Sequence, residues 1–360
     1  MKKCFLGLIV IMVTVSMLVS FVGCAKETPA EYFDYKKEGN QIRITGLIKK
    51  DLEKIVIPER IEGSFVTEID RSAFEGCTSL TNVTIPDSVT EIGDYAFDGC
   101  ESLNDVIIPN SVTEIGIFAF WDCKKLSNIT IPDSVTVIGD SAFSGCTSLE
   151  NITIPDSVES ISDEAFSGCT SLSTVTIPDS VKEIGPYAFS GCTSLTSITI
   201  PEGVTRISAF SGCTSLENIT IPDSVTEIGS SAFSGCTSLK NVTIPESVTE
   251  IGASAFEGCT NLTNVTIPDS VKEIAYSAFA GCTSLENITI PDSVESISDE
   301  AFKDCTGLVE VIIPDSVKEI YSCAFAGCTS LTNVTIPDSV EYIASDAFEG
   351  TGVILPEKFN

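Results

Sequence analysis

The sequence predicts a mostly β solenoid of about thirteen turns, in which each turn is a short coil of backbone stacked on the one before it. Three observations predict this fold. A block of the form A-F-E-G-C-T-S-L-T-N-V-T-I-P-D-S-V-T-E-I recurs with small edits along most of the 360 residues. Its cysteine recurs every 23 residues, apart from one step of 21. Each block also contains a run in which apolar and polar residues alternate, which is typical of a β-strand.

Each turn is predicted to contain two extended pieces. In the first complete block, the segment 82–85 reads Asn-Val-Thr-Ile, so its valine and isoleucine are expected to point inward and its asparagine and threonine outward. Pro86 lacks a backbone N–H and ends this strand, and the Asp-Ser pair that follows favours a turn. A shorter extended piece then places Val89 and Ile92 inward. The Ala-Phe pair that closes each turn is expected to contribute to a single interior column.

A single turn cannot fold alone. Its apolar side chains offer a gross stabilisation on the order of 10–20 kcal/mol if they are fully buried. Ordering the backbone costs roughly 1–2 kcal/mol for each residue of the turn. Neighbouring turns must therefore complete the core and pair the strands, so the thirteen strand segments between Ile55 and Ile336 are expected to form together.

Twelve cysteines share one position of the turn, and the sequence predicts a column of buried free thiols there. Equivalent side chains of an in-register stack point in the same direction, whereas a disulfide needs two side chains that converge. Disulfide-linked pairs remain an alternative, and metal binding is a weaker one because one cysteine per turn without histidine lacks a ligand pair. Cys323 lies outside the column and is predicted to be the most exposed thiol. The column consists of Cys77, Cys100, Cys123, Cys146, Cys169, Cys192, Cys213, Cys236, Cys259, Cys282, Cys305 and Cys328.

Residues 1–23 are predicted to be an export signal, with a basic start and an uncharged apolar run over 5–22. The end of this run resembles a bacterial lipoprotein signal, whose cleavage leaves Cys24 to be lipidated. Phe21 departs from the aliphatic residue that is usual three positions before that cysteine. An uncleaved anchor helix is the alternative, because the apolar run is just long enough to span a bilayer. Both interpretations tether the rest of the chain outside the cytoplasm, and residues 24–37 are predicted to be a polar linker.

The remaining chain divides into two caps and the repeats between them. Residues 38–76 are predicted to form an N-terminal cap with a divergent first repeat, residues 77–348 the tandem repeats, and residues 349–360 a truncated closing turn. One turn is irregular, because only two residues, 208–209, lie between an isoleucine and a phenylalanine that have four residues between them in neighbouring turns. This deletion predicts a local change of bend near 205–210, with the main strand stack unbroken.

The composition excludes several classes of function. The chain has 20 basic and 51 acidic residues and a formal net charge of −31, which disfavours nucleic acid and anionic membrane surfaces as partners. Histidine is absent, which removes the usual general base and the usual metal-ligating imidazole. The outward acids are scattered over many turns and no insertion could form a pocket. We therefore expect no enzyme, no catalytic residues, no cofactor and no metal, with membrane contact only through the N-terminal anchor.

The pattern L-x-x-[VI]-x-[IL]-P-x-x-[VI]-x-x-I-G-x-x-A-F-x-x-C resembles the BspA-type (treponemal) class of leucine-rich repeats over roughly residues 40–356. The resemblance implies a leucine-rich-repeat solenoid with a parallel sheet on its concave face. Members of the class are typically bacterial surface proteins, and several are adhesins. It therefore implies a non-enzymatic cell-surface module that binds a host extracellular-matrix protein or another surface protein. A passive scaffold or stalk and a carbohydrate-binding solenoid are the alternatives.

Candidate ligand-binding residues are those that depart from the asparagine and threonine background of the concave face. Two of them place an isoleucine where other turns have threonine. Trp121 is the only tryptophan and replaces a small or acidic residue at a bend, which makes it a candidate hot spot. The departures on the face are Asp105, Ile107, Glu150, Glu217, Lys240, Glu286, Glu310 and Ile312.

Overall fold

The structure is a computed structural model that describes residues 26–359. It confirms a nearly all-β parallel solenoid of about thirteen turns. Within the described range the only helical segments are single 3-10 turns at Ala30–Tyr32 and Glu357–Phe359. No helix in that range has the length and apolar character needed to cross a bilayer. The predicted signal peptide and Cys24 lie outside the described residues.

Two parallel ladders run along the solenoid, because each repeat contributes one three-residue strand and one two-residue strand. The main ladder consists of β3 (Lys54–Val56), β6 (Asn82–Thr84), β8 (Asp105–Ile107), β10 (Asn128–Thr130), β12 (Asn151–Thr153), β14 (Thr174–Thr176), β16 (Ser197–Thr199), β18 (Asn218–Thr220), β20 (Asn241–Thr243), β22 (Asn264–Thr266), β24 (Asn287–Thr289), β26 (Glu310–Ile312) and β28 (Asn333–Thr335). The second ladder consists of β7 (Glu91–Ile92), β9 (Glu114–Ile115), β11 (Val137–Ile138), β13 (Ser160–Ile161), β15 (Glu183–Ile184), β17 (Arg206–Ile207), β19 (Glu227–Ile228), β21 (Glu250–Ile251), β23 (Glu273–Ile274), β25 (Ser296–Ile297), β27 (Glu319–Ile320) and β29 (Tyr342–Ile343).

The N-terminal cap starts earlier than the sequence analysis predicts. Residues 33–37, assigned there to a linker, belong to β1 (Phe33–Glu38), which pairs antiparallel with β2 (Gln41–Leu47). Phe33 is buried and lies edge-on to Phe74 at the end of the core. Only one face of this edge strand packs on the protein, so its remaining side chains stay charged and give the segment the composition of a linker. The strand β2 also pairs in parallel with β5 (Ser64–Ile69), which continues into the second ladder and forms a hairpin with β4 (Arg60–Ile61).

The predicted column of phenylalanines is confirmed. Rings of successive turns stack face to face from Phe74 to Phe348, with centroids 5.0–5.8 Å apart and interplanar angles of 2–14°. The rings from Phe74 to Phe325 are fully buried. Offset parallel rings at this separation are a favourable aromatic geometry. The column therefore links every turn of the described chain to its neighbours.

The cysteine column is also confirmed, since all twelve thiols are buried and none is in a disulfide. From Cys100 to Cys328, each thiol donates a hydrogen bond of 3.0–3.3 Å to the carbonyl of the phenylalanine in the preceding turn. Burial raises the pKa of the column thiols from Cys77 to Cys282, to about 12 at Cys169. Cys323 is the only one of the thirteen described cysteines that is not fully buried, as predicted.

The serine of the Pro-Asp-Ser corner ties neighbouring turns together. Ser88 Oγ donates a hydrogen bond of 2.6 Å to the carbonyl of Val66 in the preceding turn. The same contact recurs along the solenoid and spans 2.6–2.9 Å at Ser134, Ser180, Ser224, Ser247 and Ser293. A serine at this corner thus stabilises the stack as well as the turn, which the sequence analysis did not anticipate.

Backbone pairing of both ladders is interrupted at three junctions, so the prediction of an unbroken main strand stack is wrong. In the main ladder the pairs without a hydrogen-bonded ladder are β10/β12, β14/β16 and β22/β24, and in the second ladder they are β11/β13, β15/β17 and β21/β23. All three pairs of the main ladder, and β15/β17 and β21/β23 of the second ladder, remain adjacent. Only the second junction adjoins the turn with the deletion, so the deletion does not cause the interruptions. The interior continues past the deletion, where Phe210 lies 5.8 Å from the rings on both sides.

Candidate functional site

The outer face of the main ladder is a regular polar surface. The first and third residues of each strand point outward and the second points into the core, so in β10 Asn128 and Thr130 are exposed and Ile129 is buried. Equivalent side chains of paired strands repeat at the strand spacing of about 4.8 Å. The face therefore presents columns of asparagine and threonine, against which any other side chain stands out.

A groove of about 740 Å³ lies on this face across β8, β10 and β12. It covers the first interrupted junction, between β10 and β12. Its lining includes Asp105 and Ile107, two of the residues predicted from the sequence. The isoleucine is 73% exposed and lies in register with Thr84 and Thr130 of the neighbouring strands. A large apolar side chain is thus exposed to water in the lining of a groove, where a bound partner would cover it.

The groove is acidic. Asp105 accepts a hydrogen bond of 3.3 Å from the side-chain amide of Asn82 in the preceding turn, which orients its carboxylate. Asp133 supplies a second carboxylate to the lining, and none of the lining residues is basic. Glu150, another predicted residue, is exposed immediately before β12. Three acids therefore lie in the groove lining or beside β12 within three consecutive turns, and the site favours a cationic group next to an apolar one.

The other predicted face residues lie farther along the stack. Glu217 and Lys240 form an ion pair of 3.0 Å between neighbouring turns, with both side chains about half exposed, so each partly neutralises the other. Glu286 is exposed immediately before β24. Glu310 and Ile312 lie on β26, where the isoleucine is 61% exposed. The structure does not bring these residues into the groove.

Trp121 belongs to a different surface, on the bend that follows the second ladder. Its ring lies edge-on to Phe118 at 6.0 Å, and Phe118 stacks on Tyr95 at 5.0 Å. The guanidinium of Arg71 lies 5.0 Å from the centre of the Tyr95 ring. Sequence reasoning placed Trp121 beside Phe118 but missed Tyr95 and Arg71, although Tyr95 and Phe118 are 23 residues apart and therefore occupy equivalent positions. Trp121 is 39% exposed and packs in this aromatic cluster, apart from the groove.

One carboxylate near this cluster has an unusual environment. Burial, together with the neighbouring carboxylates Glu75 and Asp122, raises the pKa of Asp98 to about 6. Asp98 is not among the residues that line the groove. The groove itself offers hydroxyl, amide, carboxylate and aliphatic groups, which suit recognition of a partner.

Together, the stacked parallel turns and the exposed polar face with its acidic groove define a leucine-rich-repeat solenoid that presents one extended surface. The chain belongs to the BspA-type leucine-rich-repeat family. A family model described as a BspA type leucine rich repeat region of six copies matches it over residues 42–172, 113–239, 160–286, 207–321 and 250–355. No curated protein matches the chain.

Solved structures support the same assignment. A leucine-rich repeat protein from Bacteroides ovatus is 36% identical, with 90% of this chain and 92% of that chain covered and a TM-score of 0.77. A leucine rich cell surface protein from Faecalibacterium prausnitzii is 35% identical, with 90% and 96% covered and a TM-score of 0.64. The pneumococcal vaccine antigen PcpA is 23% identical, with 93% and 92% covered and a TM-score of 0.57, and it shows the fold alone. Repeat proteins of this family and fold are typically non-enzymatic.

Proposed function

We propose that the chain is a cell-surface module that binds an extended segment of another protein on the outer face of the main ladder. The observation that carries this proposal is Ile107, which is 73% exposed beside the carboxylate of Asp105 in the groove. Burying an isoleucine that is otherwise held in water stabilises a complex by about 1.5–3 kcal/mol. Such a residue fits an interface better than a passive stalk, in which threonine would serve equally well.

Charge complementarity indicates the chemistry of the partner. The chain carries a formal net charge of −31, and the groove lining contains carboxylates and no basic side chain. A partner segment with lysine or arginine next to an apolar residue would satisfy both parts of the site. Long-range attraction of this kind mainly accelerates association and weakens as salt increases. The partner class we favour is therefore a basic extracellular-matrix protein or a basic protein on another cell.

Attachment through the N-terminus would set the orientation of this face. We propose that residues 1–23 direct export and that Cys24 is lipidated. The backbone N–H of Thr28 donates to the carbonyl of Val56 at 2.9 Å, so the chain is already part of the cap at that point. Four extended residues span at most about 14 Å, so a lipid on Cys24 would hold the N-terminal cap close to the membrane. Support for a surface location comes from the cell-surface protein of F. prausnitzii.

An array of purified extracellular-matrix proteins, bacterial surface proteins and glycans tests the binding proposal. The variant Asp105→Asn with Ile107→Thr restores the residues that other turns carry at these positions, so it should fold normally. We expect binding of the wild type to a basic protein, at least ten-fold weaker binding of the variant, and a loss of affinity as salt rises. Binding to glycans alone would favour the carbohydrate alternative, and no binding by a folded protein would favour the scaffold.

The lipid proposal has a separate test. Expression of the full chain in a bacterial host with radiolabelled palmitate should label the wild type, and Cys24→Ala should abolish the label. The variant should then partition into the aqueous phase of a detergent extraction or accumulate as the uncleaved precursor. Equal labelling of both proteins would contradict the assignment of Cys24.

A further inference from the structure

The acid–isoleucine pair of the groove occurs a second time on the same face. In β8 the strand reads Asp105-Val106-Ile107, and in β26 it reads Glu310-Val311-Ile312. In the ten other three-residue strands from β6 to β28, the first residue is asparagine, threonine or serine and the third is always threonine. The two departures therefore occur together in these two strands and in no other strand of that series.

The two places are also built alike. Val106 and Val311 are buried at 4% and 1% exposure, so each strand is anchored in the core by its central residue. Ile107 and Ile312 are 73% and 61% exposed. Each isoleucine lies in register between two threonines, which belong to the strands on either side.

The acid of each pair is held by an asparagine in a neighbouring turn. Asn82 donates to Asp105 at 3.3 Å, and Asn333 donates to Glu310 at 2.7 Å. A single amide donor leaves each carboxylate with free acceptor capacity. Both acids are therefore oriented and remain able to accept hydrogen bonds from a partner.

The spacing within each pair matches an extended peptide. The acid and the isoleucine are two residues apart on one strand, which places them about 6.6 Å apart along the face. An extended partner has the same repeat, so a lysine or arginine can face the acid while an aliphatic residue two positions away covers the isoleucine. The spacing between the pairs is nine strands, or about 43 Å along the stack.

We propose that these two sites act together and bind two segments of a single partner molecule, each with a lysine or arginine two residues from an aliphatic residue. We name them the Asp105 site (Asp105 and Ile107) and the Glu310 site (Glu310 and Ile312). The inference rests on the proposed function and adds that the partner is repetitive or dimeric. Once one segment is bound, the second binds intramolecularly, which raises the overall affinity by about 10²–10⁴ when the segments can span the distance.

Two synthetic probes test the inference. The first is the peptide Ac-Gly-Lys-Thr-Leu-Gly-NH2, and the second carries two copies of that sequence joined by a flexible Gly-Ser linker. A linker of about 60 residues has a root-mean-square length near the required span. The signals of isotope-labelled isoleucine methyl groups in the protein report on the two sites. The signals of Ile107 and Ile312 are assigned from the variants in which each is replaced by threonine. We expect the single peptide to shift both methyl signals with a stoichiometry of two, and the linked peptide to bind at least ten-fold more tightly.

Variants drawn from the chain's own background identify the contribution of each site. Asp105→Asn with Ile107→Thr removes the first site, and Glu310→Asn with Ile312→Thr removes the second. Each of these two variants should bind the linked peptide no more tightly than it binds the single peptide. A matched control, Asn241→Ser with Thr243→Ser in β20, should keep the full gain. A peptide with glutamate in place of lysine should not bind.

The outcomes separate this inference from the proposed function. A shift of the Ile107 methyl alone, with a stoichiometry of one, would overturn the two-site inference and leave the proposed function intact. Equal affinity of the single and linked peptides for the wild type would do the same. A shift of neither methyl would overturn the inference, whereas the proposed function would fail only if the protein also bound no basic protein on the array.

Discussion

Two neighbouring junctions show that the core and the backbone ladders are held by different features. Between β9 and β11 both ladders are intact, and the N–H of Gly139 donates to the carbonyl of Ile115 at 2.8 Å. Between β11 and β13 the ladders stop, and Ser162 reaches the carbonyl of Ile138 only through its Oγ, at 2.6 Å. The phenylalanine rings are 5.3 Å apart across the first junction and 5.4 Å apart across the second. The core is therefore continuous where the ladders are not.

Glycine explains the difference. A Cβ added at Gly116, Gly139 or Gly252, the position after the second-ladder strand, would lie 2.6 Å from backbone atoms of the preceding turn. All three interruptions in the described chain fall where such a glycine is followed, one turn later, by another residue: Gly139 by Ser162, Gly185 by Ser208 and Gly252 by Ala275. Pairing resumes from Ala275 to Ser298. We infer that a side chain at this position pushes its turn away from the preceding turn when that turn has glycine there. Two consecutive turns that both carry a side chain are displaced alike, so their backbones pair again.

The largest expected effect comes from ionising the buried thiols at high pH, because both kinds of junction contain them. Burial raises the folded-state pKa of the thiols from Cys77 to Cys282, to about 12 at Cys236 and Cys282, above the ordinary value of 9.0. Their contribution to stability is therefore complete below pH 9 and is lost as pH rises towards 12. We expect the free energy of unfolding to be constant from pH 7 to 8.5 and to fall steeply above pH 9, with cooperative unfolding by pH 12.

Thermal unfolding followed by circular dichroism across this pH range measures the effect. Cys323→Ala provides the control, because this thiol lies outside the column and its loss should leave the profile unchanged. A melting temperature that stayed constant between pH 8 and pH 11 would show that the column is not the source of alkaline sensitivity.

Removing one ring of the column should distinguish the two junctions. Phe166 and Phe120 are both fully buried, so replacing either by alanine should cost about 3–5 kcal/mol. Across the interrupted junction the core carries most of the coupling, so Phe166→Ala should split urea unfolding into two transitions. Phe120→Ala lies between intact ladders and should keep one transition. Identical single transitions for both variants would mean that the ladders contribute little to coupling.

A side chain placed in a glycine run should damage an intact junction. The Cβ of Gly116→Ala would meet the backbone of the preceding turn, at Gly93 and Asp94, so we expect a loss of about 1–3 kcal/mol in urea unfolding. Ser298→Ala in the non-glycine run is the comparison. It loses one hydrogen bond to Glu273 and should cost no more than about 1.5 kcal/mol. A smaller loss for Gly116→Ala than for Ser298→Ala would contradict the steric explanation.

These junctions also show how far the sequence could predict the fold. The period predicts the strands and the columns, because each depends on one residue type recurring at one position. The interruptions depend on pairs of residues one turn apart, such as Gly139 and Ser162, and a repeat consensus averages such pairs away. The contact from Ser88 to Val66 was missed for a similar reason, since a serine in a turn motif has a sufficient local explanation.

The candidate site was predictable only in part. Departure from the repeat background identified Asp105 and Ile107, which the structure places in one groove. The same criterion also selected Lys240 and Glu217, which form an ion pair and partly neutralise each other. It did not reveal the pair, because each position was compared only with the repeat background and not with its neighbour one turn away. Trp121 stood out by rarity, whereas Tyr95, which extends its aromatic cluster through Phe118, comes from the preceding turn.

The smallest effect on stability gives the sharpest test of the glycine rule. Ala275→Gly should restore pairing with the turn of Gly252 and break pairing with the turn of Ser298. The reason is that the place where a glycine is followed by a residue with a side chain then lies one turn later, between residue 275 and Ser298. Hydrogen exchange should show protection gained at residue 275 and lost at Ser298, whose N–H now donates to Ile274 at 3.0 Å. One junction is gained and one is lost, so the free energy of unfolding should change by less than about 1 kcal/mol. Ser162→Gly is the matched control, since the next turn already has glycine and protection should be gained without a loss elsewhere. If Ser298 kept its protection in Ala275→Gly, the positions of the interruptions would require another cause.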